Sequence, residues 1–331
     1  MTVSVCVVAY NEEQVVGKLL SDIEKQKYPH QNMEVILIDS ASTDGTKRVF
    51  EEFASKPHDF IRVQVLDNPN RVQAAGWNVA IANFKEDVMI RIDAHASIPV
   101  DFVQKQMECQ ESGELVTGGP RPTIVDSPTK WKETLWLAEN SMFGSSIAPY
   151  RRESDRKYVK SMFHAAYRRE VLEKVGGFRE DLGRTEDNEF HYRIREAGYK
   201  LCYDPEIESY QHIRNSLSLM LKQKYGNGYW IGRTVYECPK CLSLYHFVPF
   251  AFVVGIVITT ILTLCHLPLL GWLMWGAYWL LAFGMSLVSV IGQKKLRLTD
   301  LLLPGLFFLL HVTYGIGTVI GLLRIGGRNG K

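Results

Sequence analysis

The chain has 331 residues, 46% of them apolar and 22% charged, with a formal net charge of +2. That length allows one large domain or two smaller ones, and the balanced charge without a basic stripe excludes a nucleic-acid-binding face. The charge is uneven: residues 247–331 hold six Lys/Arg against one Asp, so the remaining 246 residues carry a net acidic charge.

The first predicted strand, Val3–Ala9, starts too early to leave room for a signal peptide. It opens into Tyr10-Asn11-Glu12-Glu13, and an amphipathic helix follows with Val15, Val16, Leu19, Leu20 and Ile23 on one face. A second apolar run, Val35–Ile38, ends abruptly in Asp39-Ser40-Ala41-Ser42-Thr43-Asp44-Gly45-Thr46 and is followed by a helical pattern from Lys47 to Phe53. Val63–Leu66 leads into Asp67-Asn68-Pro69-Asn70-Arg71 and a helix from Gln73 to Asn83. Val88–Ile92 runs into Asp93-Ala94-His95. Strands alternating with helices predict parallel βαβ units and an α/β fold. In such a sheet the polar turns share the carboxyl edge, where open α/β folds bind ligands. A single Asp/Ser/Gly turn reads equally well as an ordinary loop; the repetition favours a site.

Asp93 and His95, one residue apart after a buried strand, suit a divalent cation that neutralises a departing diphosphate. Oxygen ligands favour Mg²⁺, and imidazole also suits Mn²⁺. Further on, Thr185-Glu186-Asp187-Asn188-Glu189 opens a helix closed by Gly198, beside the glycine-rich approach Val175-Gly176-Gly177-Phe178. A Thr N-cap and acids in the first turn explain one or two of these residues. A third acid leaves a carboxylate available to take a proton from an alcohol.

From Phe247 to Gln293 no Lys, Arg, Asp or Glu occurs. His266-Leu267-Pro268 divides this stretch into two predicted membrane spans, 247–264 and 269–291. A third apolar segment, 301–323, contains Pro304, Gly305, Gly315, Gly317 and Gly321 and reads as a third span or as a broken interfacial helix. Lys294, Lys295 and Arg297 place the intervening loop, and with it the N-terminal part, in the cytoplasm. A third span would send Arg324, Arg328 and Lys331 outside, against the same rule. Aromatics and lysines between Ser216 and Trp230 suit an interfacial helix, with a soluble core helix as the other reading. The six cysteines are scattered, and Cys238-Pro239-Lys240-Cys241 lacks the second pair a zinc site needs, so free thiols are expected.

With these residues in place, the chain resembles the family 2 glycosyltransferases of GT-A fold. The matching pieces are Ala9 to Glu13, Ile38 to Thr46, Asp93-Ala94-His95 at the DxD position, and Glu186-Asp187, over about residues 1–210. A narrower resemblance, to exopolysaccharide glycosyltransferases of the succinoglycan type, rests on Asn68 to Asn78, Arg91 to Ala96 and Ala165 to Val171. It implies a mostly parallel sheet flanked by helices in a catalytic domain, 1–210, then interfacial helices, 211–246, and a membrane domain, 247–331. It also implies that Ala9, Tyr10, Glu12, Asp39 and Ser40 bind the nucleotide and that Arg71 touches the phosphates. Asp93 would hold metal and diphosphate with His95, which replaces the usual second Asp. Asp187 would be the catalytic base and Glu186 its understudy. Gln223 to Trp230 occupies the place of the QxxRW motif of processive synthases and departs from it.

The implied function is a membrane-bound inverting transferase. It would move a sugar from a nucleotide-sugar, a UDP-sugar by preference, to a hydroxyl of a polyprenyl-linked oligosaccharide in exopolysaccharide or capsule synthesis, using Mg²⁺ or Mn²⁺. Its partners would be donor, lipid-linked saccharide acceptor, membrane lipid and other polysaccharide-assembly proteins. It would sit in the plasma membrane as a multi-pass protein with its catalytic domain in the cytoplasm. A polyprenyl-phosphate sugar synthase and a non-catalytic membrane-tethered sugar-binding protein are the alternatives, the latter disfavoured by the intact carboxylate set.

Overall fold

The computed structural model describes residues 1–144, 155–213, 216–293 and 296–323. Lys294, Lys295, Arg324, Arg328 and Lys331, which carry part of the orientation argument, lie outside the described residues.

The first half alternates strand and helix as the sequence predicts: β1 (Val3–Ala9), α1 (Val16–Glu24), β2 (Met33–Asp39), α2 (Thr46–Ala54), β3 (Arg62–Asp67), α3 (Gln73–Asn83) and β4 (Val88–Asp93). Short β5 (Ala96–Ser97), α4 (Phe102–Glu111), β6 (Val116–Gly119), β7 (Thr123–Ile124) and α5 (Lys130–Asn140) follow. Next come β8 (Lys157–Val159), β9 (Phe163–Arg168), α6 (Arg169–Val175), α7 (Glu186–Glu196), β10 (Leu201–Tyr203) and β11 (Tyr210–His212). The C-terminal part is helical: α8 (Leu217–Glu237), α9 (Val248–Leu264), α10 (Leu269–Ile291) and α11 (Leu303–Leu323).

Eight strands form one sheet in the order β3-β2-β1-β4-β9-β6-β10-β8. The β3-β2-β1-β4 half is parallel, while β9 pairs antiparallel with both β4 and β6. Apolar residues dominate β1, β2 and β4 because both faces are covered. Val3, Val5 and Val7 meet Leu19, Ile23 and Phe50 on one face. Cys6, Val8, Ile36 and Ile38 meet Ala74, Trp77 and Ala80 on the other, along with Phe190 and Ile194 of α7. The parallel register sets Ala9 opposite Asp39 and Asp39 opposite Asp67, and Val8 opposite Asp93. The four polar turns therefore leave the sheet at one edge.

The chain forms two compact units, 1–122 with 149–212, and 123–148 with 213–331. Residues 123–148 thus group with the helical tail, although they fall inside the segment 1–210 that the sequence reading treats as one domain. The cause is the apolar face of α5: Leu135, Leu137 and Ala138 share a buried cluster with Leu303, Leu306, Phe307 and Leu310 of α11. Three helical stretches, Leu244–Leu264, Leu269–Ile291 and Leu298–Leu323, are long and apolar enough to cross a membrane. Helix α8 begins at Ser216, whose hydroxyl accepts from Leu219 N at 3.3 Å, and runs to Glu237, beyond the stretch ending at Trp230. All six cysteines are free.

Candidate active site

The turns after β1 and β2 are locked together. Asn11, at φ 55°, receives Thr43 N on Oδ1 at 2.8 Å, and its own N–H donates to Ser42 Oγ at 3.0 Å. Glu12 N donates to Thr46 Oγ1 at 2.8 Å, and Gly45 N donates to Glu13 Oε2 at 3.0 Å. A left-handed residue in each turn, Asn11 and Ala41, makes this reversal possible. The interlocking fixes Tyr10 and Glu12 before any ligand arrives. Asp39 is buried; its Oδ2 accepts from Ser42 N at 3.2 Å, and its buried Oδ1 has no hydrogen-bond partner among the described residues.

A cavity of about 130 Å³ opens at this edge. It is lined by Ala9, Tyr10, Glu12, Ser40, Arg71, Asp93 and His95, together with Val8, Gln73 and Ala94. Of the sequence-derived nucleotide and metal residues, Asp39 alone does not line it. Arg71, at φ 57°, is held at the mouth by a turn in which Asn68 Nδ2 donates to Ser40 Oγ and Val72 O. Glu186 and Asp187 belong to the first turn of α7 and lie outside the cavity lining.

Asp93 is gripped on both oxygens. Gln73 Nε2 donates to Oδ1 at 3.2 Å and Arg121 Nη1 donates to Oδ2 at 3.2 Å. His164 Nε2 lies 3.4 Å from the same Oδ2. Burial opposes its charge, but His164, Arg91 and Arg121 overcome this and hold the carboxyl well below its usual range. His164 itself is kept neutral by burial. Its Nδ1 lies 2.8 Å from Ser209 Oγ, and a proton on Nε2 would point at Asp93 when the Ser209 hydroxyl donates to Nδ1. His95 Nδ1 lies 3.4 Å from Glu12 Oε1.

Among the described residues no three His, Cys, Asp or Glu side chains converge to cage a metal. Mg²⁺ and its relatives need no such cage where phosphates complete the shell, since one or two protein ligands then suffice. The carboxylate of Asp93 and the imidazole of His95, facing one cavity, fit that donor set.

On α7 the two neighbouring acids differ. Glu186 is buried, its Oε2 without a hydrogen-bond partner among the described residues, and burial, then the Asp187 charge, push its pKa up to about 7. Burial also raises Asp187, but the Arg91 guanidinium and the Asn188 N–H, 2.8 Å from Oδ1, oppose it. Asp187 is therefore the first of the pair to ionise. Arg91 is buried with its guanidinium 5.2 Å from the Trp77 ring centroid and 5.6 Å from that of Phe178. Phe178 is placed by Asn78, whose Oδ1 accepts from Phe178 N at 2.6 Å and whose Nδ2 donates to Phe178 O at 2.9 Å. Behind the acids, His191, lowered to about 3 by burial, bridges Tyr167 Oη at 2.8 Å and Ser161 Oγ at 3.0 Å.

Sequence reasoning missed Arg121 and His164. Arg121 has no motif around it, and His164 directly precedes the Ala165 to Val171 stretch without belonging to it. His164 reveals itself only through its φ of 46°, at the irregular β6–β9 pairing that turns its ring toward Asp93.

Residues 4–176 match the model of glycosyl transferase family 2. The chain belongs to glycosyl transferase family 2. The succinoglycan biosynthesis protein ExoA of Rhizobium meliloti (strain 1021) is 30% identical over 224 residues, covering 66% of this chain and 65% of that protein. A Methanococcus voltae protein is 24% identical over 343 residues, 97% of each chain. It is named as a dolichyl N-acetyl-alpha-D-glucosaminyl phosphate 3-beta-D-2,3-diacetamido-2,3-dideoxy-beta-D-glucuronosyltransferase. Among solved structures, the mannosyltransferase PcManGT from Pyrobaculum calidifontis, in complex with GDP-Man and Mn²⁺, aligns with a TM-score of 0.57 at 19% identity. That alignment covers 96% of this chain and 83% of that one. The family 2 chain thus has the GT-A fold, with apolar helices at its C-terminal end.

Proposed function

We propose that this family 2 protein is a membrane-bound inverting glycosyltransferase that moves a sugar from a nucleotide-sugar to a hydroxyl of a polyprenyl-linked oligosaccharide, in exopolysaccharide or capsule synthesis. The observation that carries the reading is the cavity that gathers Glu12, Ser40, Arg71, Asp93 and His95 at the carboxyl edge of the parallel strands. A UDP-sugar is the first donor to try, and the GDP-Man complex of PcManGT keeps GDP-sugars in the screen. The relatives, one named for succinoglycan biosynthesis and one for transfer to a dolichyl-linked saccharide, support a lipid-linked acceptor.

Asp39 offers its unpartnered oxygen to the base or ribose, with Tyr10 and Glu12 beside it. Arg71 meets the phosphates. Asp93 and His95 would hold Mg²⁺ or Mn²⁺, whose charge would stabilise the departing diphosphate. Asp187 takes the proton of the acceptor hydroxyl as that oxygen bonds to the anomeric carbon. The bond from that carbon to the diphosphate breaks on the opposite face, and the nucleoside diphosphate leaves with the electron pair. Glu186, largely protonated below neutral pH, leaves Asp187 as the charged member of the pair.

Helices α9 and α10 would cross the plasma membrane as a hairpin, with the catalytic unit on the cytoplasmic face beside its lipid-linked acceptor and other assembly proteins. The test is nucleotide release by purified protein across a panel of nucleotide-sugars and acceptors. Release that depends on a lipid-linked saccharide supports the reading. Release that depends on polyprenyl phosphate alone makes the protein a polyprenyl-phosphate sugar synthase, and no release with any donor removes the enzyme reading.

A further inference from the structure

Helix α11 is long and apolar enough to cross a bilayer, yet its surroundings differ from those of α9 and α10. Within its most apolar window 39% of the residues are buried, against 6% for the α9 stretch and 17% for α10. Leu303, Leu306, Phe307 and Leu310 pack on apolar residues of α5, and polar contacts flank them. At its start, Arg297 is paired with Glu133 of the α5 helix at 2.8 Å, and Asp300 Oδ1 accepts from Thr134 Oγ1 at 2.6 Å. Its C-terminal half lies directly against α8. A methyl group at Gly228 or Gly232 would overlap the carbonyls of Tyr314 or Thr318, and one at Gly317 or Gly321 would overlap those of Tyr225 or Tyr229. Tyr236 Oη reaches Leu322 O at 3.2 Å. The partners rise together along both chains, so the two helices run parallel, with a small-xxx-small stripe on each.

That neighbour cannot sit in hydrocarbon. Helix α8 carries Lys222, Gln223, Lys224, Asn227, Arg233 and Glu237 over the length that α11 follows. Lys224 is buried in an ion pair with Glu139 at 2.9 Å. Each such charge is costly at mid-bilayer. The exposed residues of α8 include Leu219, Lys222, Tyr225 and Tyr236. Aromatics and a lysine beside an apolar stripe suit the headgroup boundary.

The contacts with the hairpin agree. Helix α11 meets α10 through His311 to Tyr278, 3.1 Å, and through Phe308 against Trp275 and Trp279. It meets α9 through Gly315 against Pro249 and Val253. Pro249 and Val253 belong to the first turns of α9, and Phe252 between them stacks on Tyr278 at 4.3 Å. These contacts join the first turns of α9 to the middle of α10, which the Phe252–Tyr278 stack brings level, so α11 passes across the hairpin. A third span would follow α10 along its length.

We propose that α11 does not cross the membrane but lies with α8 in the bilayer interface on the catalytic side, leaving α9 and α10 as the crossing pair. The partner of this helical pair is the lipid surface itself. The inference rests on α9 and α10 crossing as a hairpin.

The experiment is labelling with a membrane-impermeant maleimide on sealed vesicles of each orientation, using the full chain. Native Cys265, exposed at the hairpin turn, reports the far side. Lys56→Cys, exposed on the catalytic unit, reports the near side, and Leu323→Cys reports the end of α11; both are placed in a Cys265→Ser background. The expected result is Cys265 labelled from one side and both engineered cysteines from the other. Leu323→Cys labelled with Cys265, or labelled only after detergent, overturns the interfacial placement. Cys265 labelled on the same side as Lys56→Cys overturns the hairpin instead, a separate failure.

Discussion

Arg121 Nη1 donates to Asp93 Oδ2 at 3.2 Å, with both side chains almost fully buried. The guanidinium also lies over the Phe163 ring, 3.4 Å from its centroid, which leaves it little freedom to leave. A buried carboxylate with a fixed guanidinium partner stays ionised. The negative charge at the cavity is thus set before donor or cation arrives, and His164 and Gln73 fix its orientation.

Asp93→Ala should abolish the difference in donor binding between Mn²⁺ and EDTA, measured by calorimetry with nucleoside diphosphates. His164→Ala, which removes only an orienting contact, should weaken the Mn²⁺-dependent part by ~10–100-fold. Equal donor affinity in Mn²⁺ and in EDTA for the unaltered protein would remove the cation from the proposed reaction.

Asp187→Asn keeps size and shape but cannot take a proton. Turnover should drop by ~10²-fold or more with donor affinity retained. Steady-state rates and donor binding, measured on the same preparation, check both parts. A variant with near-normal turnover would shift the base to Glu186.

Glu186 supplies a pH dependence of stability. Its pKa is raised from 4.5 to about 7 in the folded state, chiefly by burial. A group raised on folding stabilises fully below its unfolded value, and that contribution is lost as pH rises through the folded value. The folded protein should therefore lose apparent Tm between about pH 4.5 and 7, and Glu186→Gln, which cannot ionise, should lose less. Parallel losses in parent and variant would show that Glu186 is not held neutral.

The Lys224–Glu139 pair, 2.9 Å and buried on both sides, should behave as a unit. Lys224→Met alone leaves a buried carboxylate and should cost ~3–5 kcal/mol. Lys224→Met combined with Glu139→Leu should recover most of that loss. Detergent-solubilised unfolding of the three proteins gives the comparison; additive losses in the double variant would show that the two residues act independently.

The sequence by itself determined the strand ends and the turns that leave them. Strands covered on both faces are mostly apolar, so Val35–Ile38 and Val88–Ile92, the latter interrupted by Arg91, stand out, and the polar residues that follow fall at the carboxyl edge by topology alone. Asp39, Asp93 and His95 were legible for that reason, Glu186-Asp187 from the acids gathered at a helix start, and the charge-free 247–293 stretch from composition. The tertiary structure decided what a linear pattern cannot hold. Arg121 and His164 reach Asp93 from distant segments, one of them through a left-handed residue inside a strand, and neither position has a periodic signal. Residues 123–148 join the helical unit because α5 buries Leu135, Leu137 and Ala138 with α11. The apolar count of α11 describes its own side chains, whereas its place depends on the charged helix packed against Gly317 and Gly321, a contact no hydropathy window contains.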